Sequence, residues 1–323
     1  MASDKRTMAA LAGSAQTPSR FELDIRAGLS RPAKSIPCQY FYDAAGSALF
    51  EQITELPEYY PTRTEAAILH ACAGDIAART RVGTALVEFG SGSSVKTDIV
   101  LAACPMISRY VPIDVSQTAL SSAKARLEAK FPQLSVEPVL ADFSSSVTLP
   151  PDLAPLPKLG FFPGSTIGNF SHDAAIKLLV GFRALLGPGS RLILGADLRK
   201  SPDILLPAYN DASGVTAAFN LNLLVRINRE LEANFELSKF EHLATYDEVS
   251  GRIDMFLESK ADQTANIRGH PFHFAQGERI HTEISQKYAI AEIKDLAERA
   301  GWISRAVWTG ETQLFSVHEF ECA

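Results

Sequence analysis

The sequence predicts an α/β fold in which helices cover both faces of a parallel sheet, and three observations lead to this prediction. Short apolar runs typical of buried strands alternate with helical segments along the middle of the chain. The first of these strands ends in a glycine-rich turn that leads into a helix. The chain has 323 residues and 46% hydrophobic composition, which is enough for two domains or one decorated core.

Three segments precede the alternating region. Residues 1–18 are polar and rich in alanine without periodicity, so we expect a flexible N-terminus. Residues 43–56 carry apolar side chains at helical spacing up to Pro57. A second helix is predicted for residues 62–80, after Pro61.

The alternating region then supplies the strands and helices of the predicted sheet. In order, they are strand 85–89, a helix that includes residues 99–103, strand 110–114, a helix capped by Ser116 that runs to about residue 130, strand 160–163, a helix capped by Ser171, and strand 191–195. Strands that alternate with helices in this way indicate a parallel, doubly wound sheet.

The alternation stops at about residue 201 and returns near residue 288. Residues 215–231 predict one long helix, and the alternating pattern of residues 243–257 predicts antiparallel strands. Residues 288–300 predict a helix, followed by strands 302–308 and 314–320 as a terminal hairpin. We therefore expect a nucleotide-type domain, residues 62–199 and 288–323, interrupted by an α+β substrate-binding domain, residues 19–61 and 200–287.

Charge and composition exclude several classes of partner. The formal net charge is −6 and the basic residues are scattered, so neither nucleic acid nor an anionic membrane is expected as a partner. Without a secretory h-region or a long apolar segment, the expected location is the cytoplasm. The four cysteines lie far apart, which argues against a disulfide framework or a zinc knuckle. We expect a small-molecule partner and a monomer.

The glycine-rich turn is the first candidate functional feature. Gly90, Ser91 and Gly92 follow the first strand, where backbone N–H groups could approach a ligand closely. The turn lacks the third glycine of the dinucleotide-binding pattern, so taken alone it could equally be a structural tight turn.

Two further features follow at the spacing of a nucleoside site. Asp114 ends the next strand, where its carboxylate could bind ribose hydroxyls or could instead cap the helix that Ser116 also caps. Asp142 could accept the adenine amine, and the Phe143 ring could stack on the base. Lys96 suits a carboxylate, and no basic pair is placed for a pyrophosphate. Together these residues favour S-adenosylmethionine over a dinucleotide.

Longer motifs carry a resemblance to a known family. The matching runs are QYFYDAAGSALF at residues 39–50, LPEYYPTRTE at 56–65, FFPGSTIGNF at 161–170, AYND at 208–211 and FNLN at 219–222. In these runs the chain resembles the L-histidine N-α-methyltransferases of the ergothioneine pathway, and the similarity covers nearly all of the sequence after about residue 20.

The resemblance implies a fold and a reaction. The fold would be a class I, Rossmann-like S-adenosylmethionine methyltransferase domain with an inserted α+β substrate-binding domain. The reaction would be three successive methyl transfers to the α-amine of L-histidine, giving hercynine. S-adenosylmethionine would be the methyl donor, and no metal would be required.

The resemblance also implies roles for individual residues. Asn169 and Tyr209 would hold the substrate carboxylate and orient the amine, and Tyr59 would pack beside the amine. These three are the candidate catalytic residues. Tyr42 and Lys96 match positions near the methionine end of the methyl donor.

Side-chain selectivity would depend on a second group of positions. Glu283 and Ser285 match the family's imidazole contacts, and Met255 matches a methionine that lines the pocket. Phe50 and Gly164, in the matched runs, would complete the substrate site. From the residues alone, Glu283 and Ser285 would share one face of an extended segment, but an acid and a serine could equally cap a helix.

Other functions remain possible from the sequence. The chemistry could act on another amino acid or small amine, or the chain could bind S-adenosylmethionine without turnover and regulate a partner. His270 and His273 have a spacing seen in metal ligands, but the proline and phenylalanine between them favour a strand or turn. His281 beside Glu283 is expected to be a surface or supporting residue, so no metal site is predicted.

Overall fold

A computed structural model describes residues 18–92 and 95–322 of the chain. Over these residues the helices are α1 (Arg20–Leu29), α2 (Ala44–Glu55), α3 (Tyr60–Ala78), α4 (Val95–Ala103), α5 (Gln117–Lys130), α6 (His172–Leu186), α7 (Pro202–Tyr209), α8 (Val215–Glu230) and α9 (Ile290–Arg299). The predicted flexible N-terminus, residues 1–18, lies outside the described residues apart from Pro18.

The strands form two larger sheets and one hairpin. They are β1 (Lys34–Ser35), β2 (Thr84–Phe89), β3 (Ile107–Asp114), β4 (Ser135–Val136), β5 (Val139–Leu140), β6 (Lys158–Phe162), β7 (Arg191–Asp197), β8 (Phe240–Asp247), β9 (Arg252–Ser259), β10 (Gln263–Ile267), β11 (His270–Phe274), β12 (Arg279–Gln286), β13 (Trp302–Thr309) and β14 (Phe315–Cys322).

The central sheet has the order β13-β14-β7-β6-β2-β3-β4, with β5 also paired to β3. All neighbouring strands from β7 to β4 are parallel, whereas β14 is antiparallel to both β7 and β13. Every residue of β2 is buried, as expected for a strand covered on both faces. The predicted class I, Rossmann-like α/β fold, including its terminal hairpin, is confirmed.

Local signals position the helices around this sheet. The side chains of Asp43, Ser116 and Ser171 accept backbone N–H groups at the starts of α2, α5 and α6. Gly187 ends α6 in the left-handed region, with a φ of 82° that favours glycine. The helices predicted after the caps Ser116 and Ser171 are α5 and α6, and the helix predicted from residue 43 is α2.

The second sheet lies outside the α/β alternation. Its order is β1-β12-β9-β8, with β8, β9 and β12 antiparallel and the short β1 parallel to β12. The antiparallel strands predicted around residues 243–257 are thus confirmed as β8 and β9. A hydrophobic cluster joins this sheet to residues of α1, α2, α7 and α8.

The two sheets meet where the chain leaves β6. The adjacent strands β2 and β6 end in the turn at Gly90 and in a loop at residues 163–169, at the edge where doubly wound sheets bind ligands. A Cβ on Gly168 would lie 2.7 Å from the backbone oxygen of Gln286, so this loop packs directly on β12. Within the described part of the chain, no helix is both long and apolar enough to span a membrane.

Candidate active site

The glycine-rich turn brings the predicted cofactor residues together. Gly90 has a φ of +77°, and a Cβ there would lie 3.1 Å from the Phe143 ring. The backbone N–H of Gly92 donates to the Asp114 carboxylate at 3.2 Å. Ser91 between the two glycines is buried. The turn, the end of β3 and the aromatic ring therefore form one continuous surface.

The acidic side chains of this surface are fixed by local hydrogen bonds. Ser116 is the cap of α5, accepting from the backbone of Ala119 at 3.2 Å, while Asp114 accepts from the Ser116 backbone N–H at 2.9 Å. The alternative in which Asp114 is the helix cap is therefore wrong. Asp142 accepts from both the backbone and the hydroxyl of Ser144, which holds its carboxylate in the turn before Phe143.

A buried glutamate links Lys96 to the loop after β6. The Lys96 ammonium lies 2.5 Å from the Glu65 carboxylate, which is buried on α3. The same carboxylate accepts the backbone N–H of Gly164 at 2.8 and 3.0 Å. A Cβ on Gly195 would lie 1.9 Å from the Glu65 carboxylate, so only glycine leaves space for it there. Glu65 thus connects a predicted cofactor residue to a predicted substrate residue.

Three aromatic rings pack around the ring of Phe50 on α2. The Phe50 ring lies 5.7 Å from that of Tyr42 and 6.2 Å from that of Tyr59, both edge-on. Phe219 of α8 packs against Phe50 and Tyr42 at 6.0 and 5.9 Å between ring centroids. The structure therefore places Tyr42, predicted near the methyl donor, in contact with Phe50, a predicted substrate residue.

The predicted imidazole contacts lie on β12. Glu283 pairs with Met255 across the antiparallel register, so their side chains are neighbours. Ser285 lies 2.8 Å from the Tyr209 hydroxyl, measured between the two oxygens. Because both Glu283 and Ser285 belong to a strand, the helix-cap alternative is wrong.

Beneath Tyr209 lies a buried network of charges. The Lys287 ammonium donates to the hydroxyls of Tyr209 and Ser285 at 2.6 and 2.8 Å and pairs with Asp197 at 2.8 Å. Lys200 also pairs with Asp197, at 2.6 Å. Burial acts to raise the pKa of Asp197, but the two lysine charges outweigh it and hold that pKa below its usual value. Burial lowers the pKa of Lys200 to about 8, against the pull of Asp197.

Asn169 ends the short helical turn Thr166–Asn169 that packs on β12. The loop before it is tied to β7, because the Asp197 backbone N–H donates to the Ser165 hydroxyl at 2.9 Å. Ser165 has a φ of 58°, an uncommon conformation for a residue with a side chain. Asn169 is thus held near the strand of Ser285 but is not part of the Tyr209–Ser285 pair.

Burial shifts the pKa of several of these groups and so determines which of them are charged near neutral pH. Burial raises the pKa of the Tyr42, Tyr59 and Tyr209 phenols well above the usual value, so they are neutral donors. Burial also raises the pKa of Glu283 to about 7, while the charge of Lys287 acts in the opposite direction. Glu283 can therefore exist as an acid or as a carboxylate near neutral pH.

The histidines singled out in the sequence lie on strands. His270 and His273 lie on β11, where His273 hydrogen-bonds to Thr264 at 2.8 Å, which confirms the strand interpretation. His281 lies 2.8 Å from the Asp254 carboxylate. Across residues 18–92 and 95–322, no group of three or more His, Cys, Asp or Glu side chains gathers as a metal site.

Several functional candidates were missed from the sequence. They are Glu65, Asp197, Phe219 and Lys287. Glu65 and Phe219 stood within matched runs, and Lys287 directly follows β12. The position of Asp197 at the carboxyl end of a parallel strand was a usable signal, because ligand sites of doubly wound sheets lie at that edge.

Comparison with known proteins agrees with the motif resemblance. A family model described as histidine-specific methyltransferase, SAM-dependent, matches residues 21–322. A histidine N-alpha-methyltransferase of Mycolicibacterium smegmatis is 41% identical, with 88% of this chain and 90% of that protein covered. One from Mycobacterium tuberculosis is 38% identical, with 91% and 92% covered. Ergothioneine biosynthesis protein 1 of Neurospora crassa is 30% identical over 85% of this chain and 32% of its own length. The chain therefore belongs to the family of histidine-specific, S-adenosylmethionine-dependent methyltransferases.

Proposed function

We propose that this protein transfers methyl groups from S-adenosylmethionine to the α-amine of L-histidine, three times in succession, giving hercynine for ergothioneine biosynthesis. The observation that carries the proposal is the 2.8 Å contact between Tyr209 and Ser285. It joins the residue assigned to the substrate carboxylate to one assigned to the side chain, as a site for a single small amino acid requires. The name of the relative that is 41% identical supports the same substrate.

The cofactor side fits S-adenosylmethionine. Its left-handed glycine turn leaves backbone N–H groups close to the ends of β2 and β3. Asp114 would bind the ribose hydroxyls, and Asp142 and Phe143 would bind the adenine. The remaining assignments are backbone contacts at Gly90 and Ser91, and the methionine end at Lys96 and Tyr42. When bound, S-adenosylmethionine supplies an electrophilic methyl group on a sulfonium.

The substrate side has three parts. Asn169 and Tyr209 would hold the carboxylate and orient the amine. Glu283 and Ser285 would contact the imidazole. The walls would be formed by Phe50, Tyr59, Gly164 and Met255. Asn169, Tyr209 and Tyr59 are the proposed catalytic residues because they would position or contact the reacting amine.

The chemistry needs alignment more than acid–base catalysis. The amine lone pair forms the new N–C bond as the C–S bond breaks, and the amine proton leaves to water. The α-amine must be neutral when it attacks, so either the free base binds or the ammonium proton passes to water before the transfer. The ring face of Tyr59 would stabilise the growing positive charge on nitrogen.

The proposed function also implies a division of the chain into two domains. We propose that residues 62–199 and 288–323 form the methyltransferase domain and residues 19–61 and 200–287 the substrate-binding domain. The hydrophobic cluster that joins α1, α2 and α8 to the second sheet supports this division. We further propose a monomeric, cytoplasmic, metal-free enzyme, and the free thiols of Cys38, Cys72 and Cys104 are compatible with a reducing compartment.

One experiment tests the proposal directly. Purified protein would be incubated with S-adenosylmethionine and each of the twenty amino acids, and the products measured by mass spectrometry. We expect histidine alone to gain three methyl groups. Preferred turnover of another amino acid would favour the wider amine-methyltransferase alternative. Binding of the methyl donor without any turnover would favour the regulatory alternative.

A further inference from the structure

The FNLN run at residues 219–222 is a matched motif whose second residue the proposed function does not use. Asn220 lies on α8 and is 0% exposed. Its side-chain nitrogen lies 2.9 Å from Nδ1 of His242 and 3.0 Å from the backbone oxygen of Phe256. The Nε2 atom of His242 lies 2.7 Å from the backbone oxygen of Tyr209. Two successive hydrogen bonds therefore join this buried amide to a proposed catalytic residue.

The partner atoms determine the hydrogen positions in this chain of bonds. A backbone carbonyl can only accept, so Nε2 of His242 must carry the ring hydrogen. A side-chain amide nitrogen can only donate, so Nδ1 must be the bare nitrogen. The two contacts thus require the same neutral tautomer independently of each other. Turning the Asn220 amide over would direct its oxygen at two acceptors, the bare nitrogen and the Phe256 carbonyl, so the amide orientation is determined as well.

The buried amide of Asn220 also has a cost. Its Oδ1 atom has no hydrogen-bond partner among the described residues. A buried amide oxygen without a partner destabilises a protein, and a leucine of similar volume would avoid that cost. What asparagine supplies and leucine does not is a pair of N–H groups, directed here at His242 and Phe256. The hydrogen bonds of this amide are therefore the ones that orient the imidazole ring.

Tyr209 is held at both of its ends. It is the last residue of α7, and the final carbonyl groups of a helix have no partner within the helix. His242 donates to the Tyr209 carbonyl from β8, a strand that contacts both α7 and α8. At the other end of Tyr209, the hydroxyl is hydrogen-bonded to Ser285 and Lys287. The backbone anchor and the hydroxyl contacts together fix where the phenol lies.

The surroundings of His242 favour its neutral form. Burial lowers the pKa of this imidazole below its usual value, although the Tyr209 carbonyl and the charge of Asp211 act in the opposite direction. Protonation would also place a second hydrogen on Nδ1, where it would face the N–H group of Asn220. The neutral ring that the hydrogen bonds require is thus the form that burial favours.

These contacts give His242 a role that acts through Tyr209, and this step rests on the proposed function. We propose that His242 is a positioning residue: as the Nε2–H tautomer oriented by Asn220, it holds the Tyr209 backbone so that the phenol meets the substrate carboxylate. Loss of this anchor should then weaken binding of the amino acid. A merely structural role would lower the concentration of folded enzyme and with it the apparent kcat, and would leave the KM for histidine unchanged.

Two substitutions at His242 test the bond to the Tyr209 carbonyl. The amide nitrogen of His242→Gln extends as far as Nε2 and can donate to the carbonyl, whereas the amide of His242→Asn is one methylene shorter and cannot reach it. We expect the KM for histidine to rise about three- to tenfold in His242→Asn and to stay within about twofold of the wild type in His242→Gln. Affinity for S-adenosylmethionine, measured by calorimetry, should be the same in all three proteins.

A matched pair of variants on α8 tests Asn220. Asn228 lies on the same helix, and its side chain makes two hydrogen bonds of 2.8 Å to the backbone of Phe235. Asn220→Leu and Asn228→Leu therefore each remove two amide hydrogen bonds, and both should lower the midpoint of thermal unfolding. Only Asn220→Leu should raise the KM for histidine. An equal rise in Asn228→Leu would overturn the inference, because the effect would then follow stability and not the contact with His242.

Nuclear magnetic resonance of the isotope-labelled wild-type protein at about pH 7 measures the tautomer directly. The ring signals of His242, identified by their absence in His242→Gln, should show a hydrogen on Nε2 and a bare Nδ1. A hydrogen on Nδ1, alone or together with one on Nε2, would overturn the inference because Asn220 could not then donate to the ring.

The outcomes separate this inference from the proposed function. An unchanged KM for histidine in folded His242→Asn would overturn the inference and leave the proposed function intact. If Asn220→Leu does not fold, the two His242 variants still decide, and if His242→Asn does not fold, Asn220→Leu and its control decide. Preferred methylation of another amino acid would overturn the proposed substrate, and the same KM comparison with that amino acid would still test His242. Absence of any turnover would overturn both.

Discussion

Glu88 and Asp197 lie near the carboxyl ends of two parallel strands in one sheet, and each is only 1% exposed. Glu88, beneath the cofactor turn, accepts from the neutral hydroxyls of Thr97 and Tyr110, and burial raises its pKa to about 8. Asp197, beneath the proposed substrate residues, faces two lysines, and its pKa is held below the usual value against the effect of burial. Partner charge, and not depth in the sheet, therefore decides which buried carboxyl is ionised.

The comparison extends to the two sides of the site. The cofactor side uses backbone groups and short-range hydrogen bonds such as Ser116 to Asp114. The proposed substrate side brings Tyr209, Ser285 and Lys287 together in one buried, charged network. A buried charge that loses its partner destabilises a protein far more than a lost neutral hydrogen bond does.

The largest expected effect is on Asp197. Asp197→Asn leaves Lys287 and Lys200 without their shared carboxylate, so we expect the free energy of unfolding to fall by about 3–5 kcal/mol. Urea denaturation at neutral pH measures this change. A loss smaller than about 1 kcal/mol would show that Asp197 is not an ionised partner of the two lysines, and would contradict the contrast with Glu88.

On the cofactor side, we expect a smaller effect that is confined to binding. Asp114→Ala removes a charged acceptor proposed for the ribose hydroxyls, so affinity for S-adenosylmethionine should fall by about 1.5–3 kcal/mol. Calorimetric titration measures the change, with circular dichroism as the control for folding. Unchanged affinity would contradict the ribose assignment.

Variants of the two residues proposed to hold the substrate carboxylate should affect histidine binding without affecting binding of the methyl donor. Asn169→Ala and Tyr209→Phe should each raise the KM for histidine by an amount equivalent to about 1–2 kcal/mol, with little change in affinity for the methyl donor. Steady-state kinetics at saturating S-adenosylmethionine provide the measurement. Equal loss of both affinities would indicate a folding defect and not a substrate contact.

The smallest expected change is in Glu88→Gln near pH 5. At that pH the Glu88 carboxyl is protonated in the folded protein. An amide in its place should change the free energy of unfolding by less than about 1 kcal/mol. Because its folded pKa of about 8 lies above that of an unfolded glutamate, the wild type loses stability as pH rises from about 4.5 to about 8. The amide of Glu88→Gln does not titrate. The free energy of unfolding of the variant, relative to that of the wild type, should therefore increase as the pH rises over this range. Denaturation midpoints at several pH values would show a constant difference if Glu88 were ionised throughout.

The fold was largely readable from the sequence because strong local signals mark its elements. Helix α6, for example, starts at the Ser171 cap and ends at Gly187, both recognisable in the chain. Helix α7 was missed because Pro202 and Pro207 stand within a run of only eight residues. Helix α1 was also missed, although its buried residues Phe21, Ile25 and Leu29 have helical spacing.

The site was only partly readable, for a different reason. Asp114 ends a predicted strand, and Phe143 could be assigned because the cofactor features follow one another in a recognisable order and spacing along the chain. The pairs Glu65–Lys96 and Asp197–Lys287 join segments that are distant in sequence, and no local pattern specifies which lysine meets which acid. Such pairs appear only when the tertiary structure brings the segments together.

Selection of histidine through its ring by Glu283 and Ser285 of β12 is central to the proposed function, and Glu283→Ala tests it most directly. The variant would be compared with wild type in competition assays that offer histidine together with tryptophan or phenylalanine. We expect kcat/KM for histidine to fall by an amount equivalent to about 1.5–3 kcal/mol, and preference over the aromatic competitors to relax, because unpaired buried polar groups reject substrates strongly. Shortening Met255 in the same protein should enlarge the pocket and increase the relaxation. If Glu283→Ala kept both its histidine kcat/KM and its preference over tryptophan and phenylalanine, the assignment of the ring contact to Glu283 would be wrong.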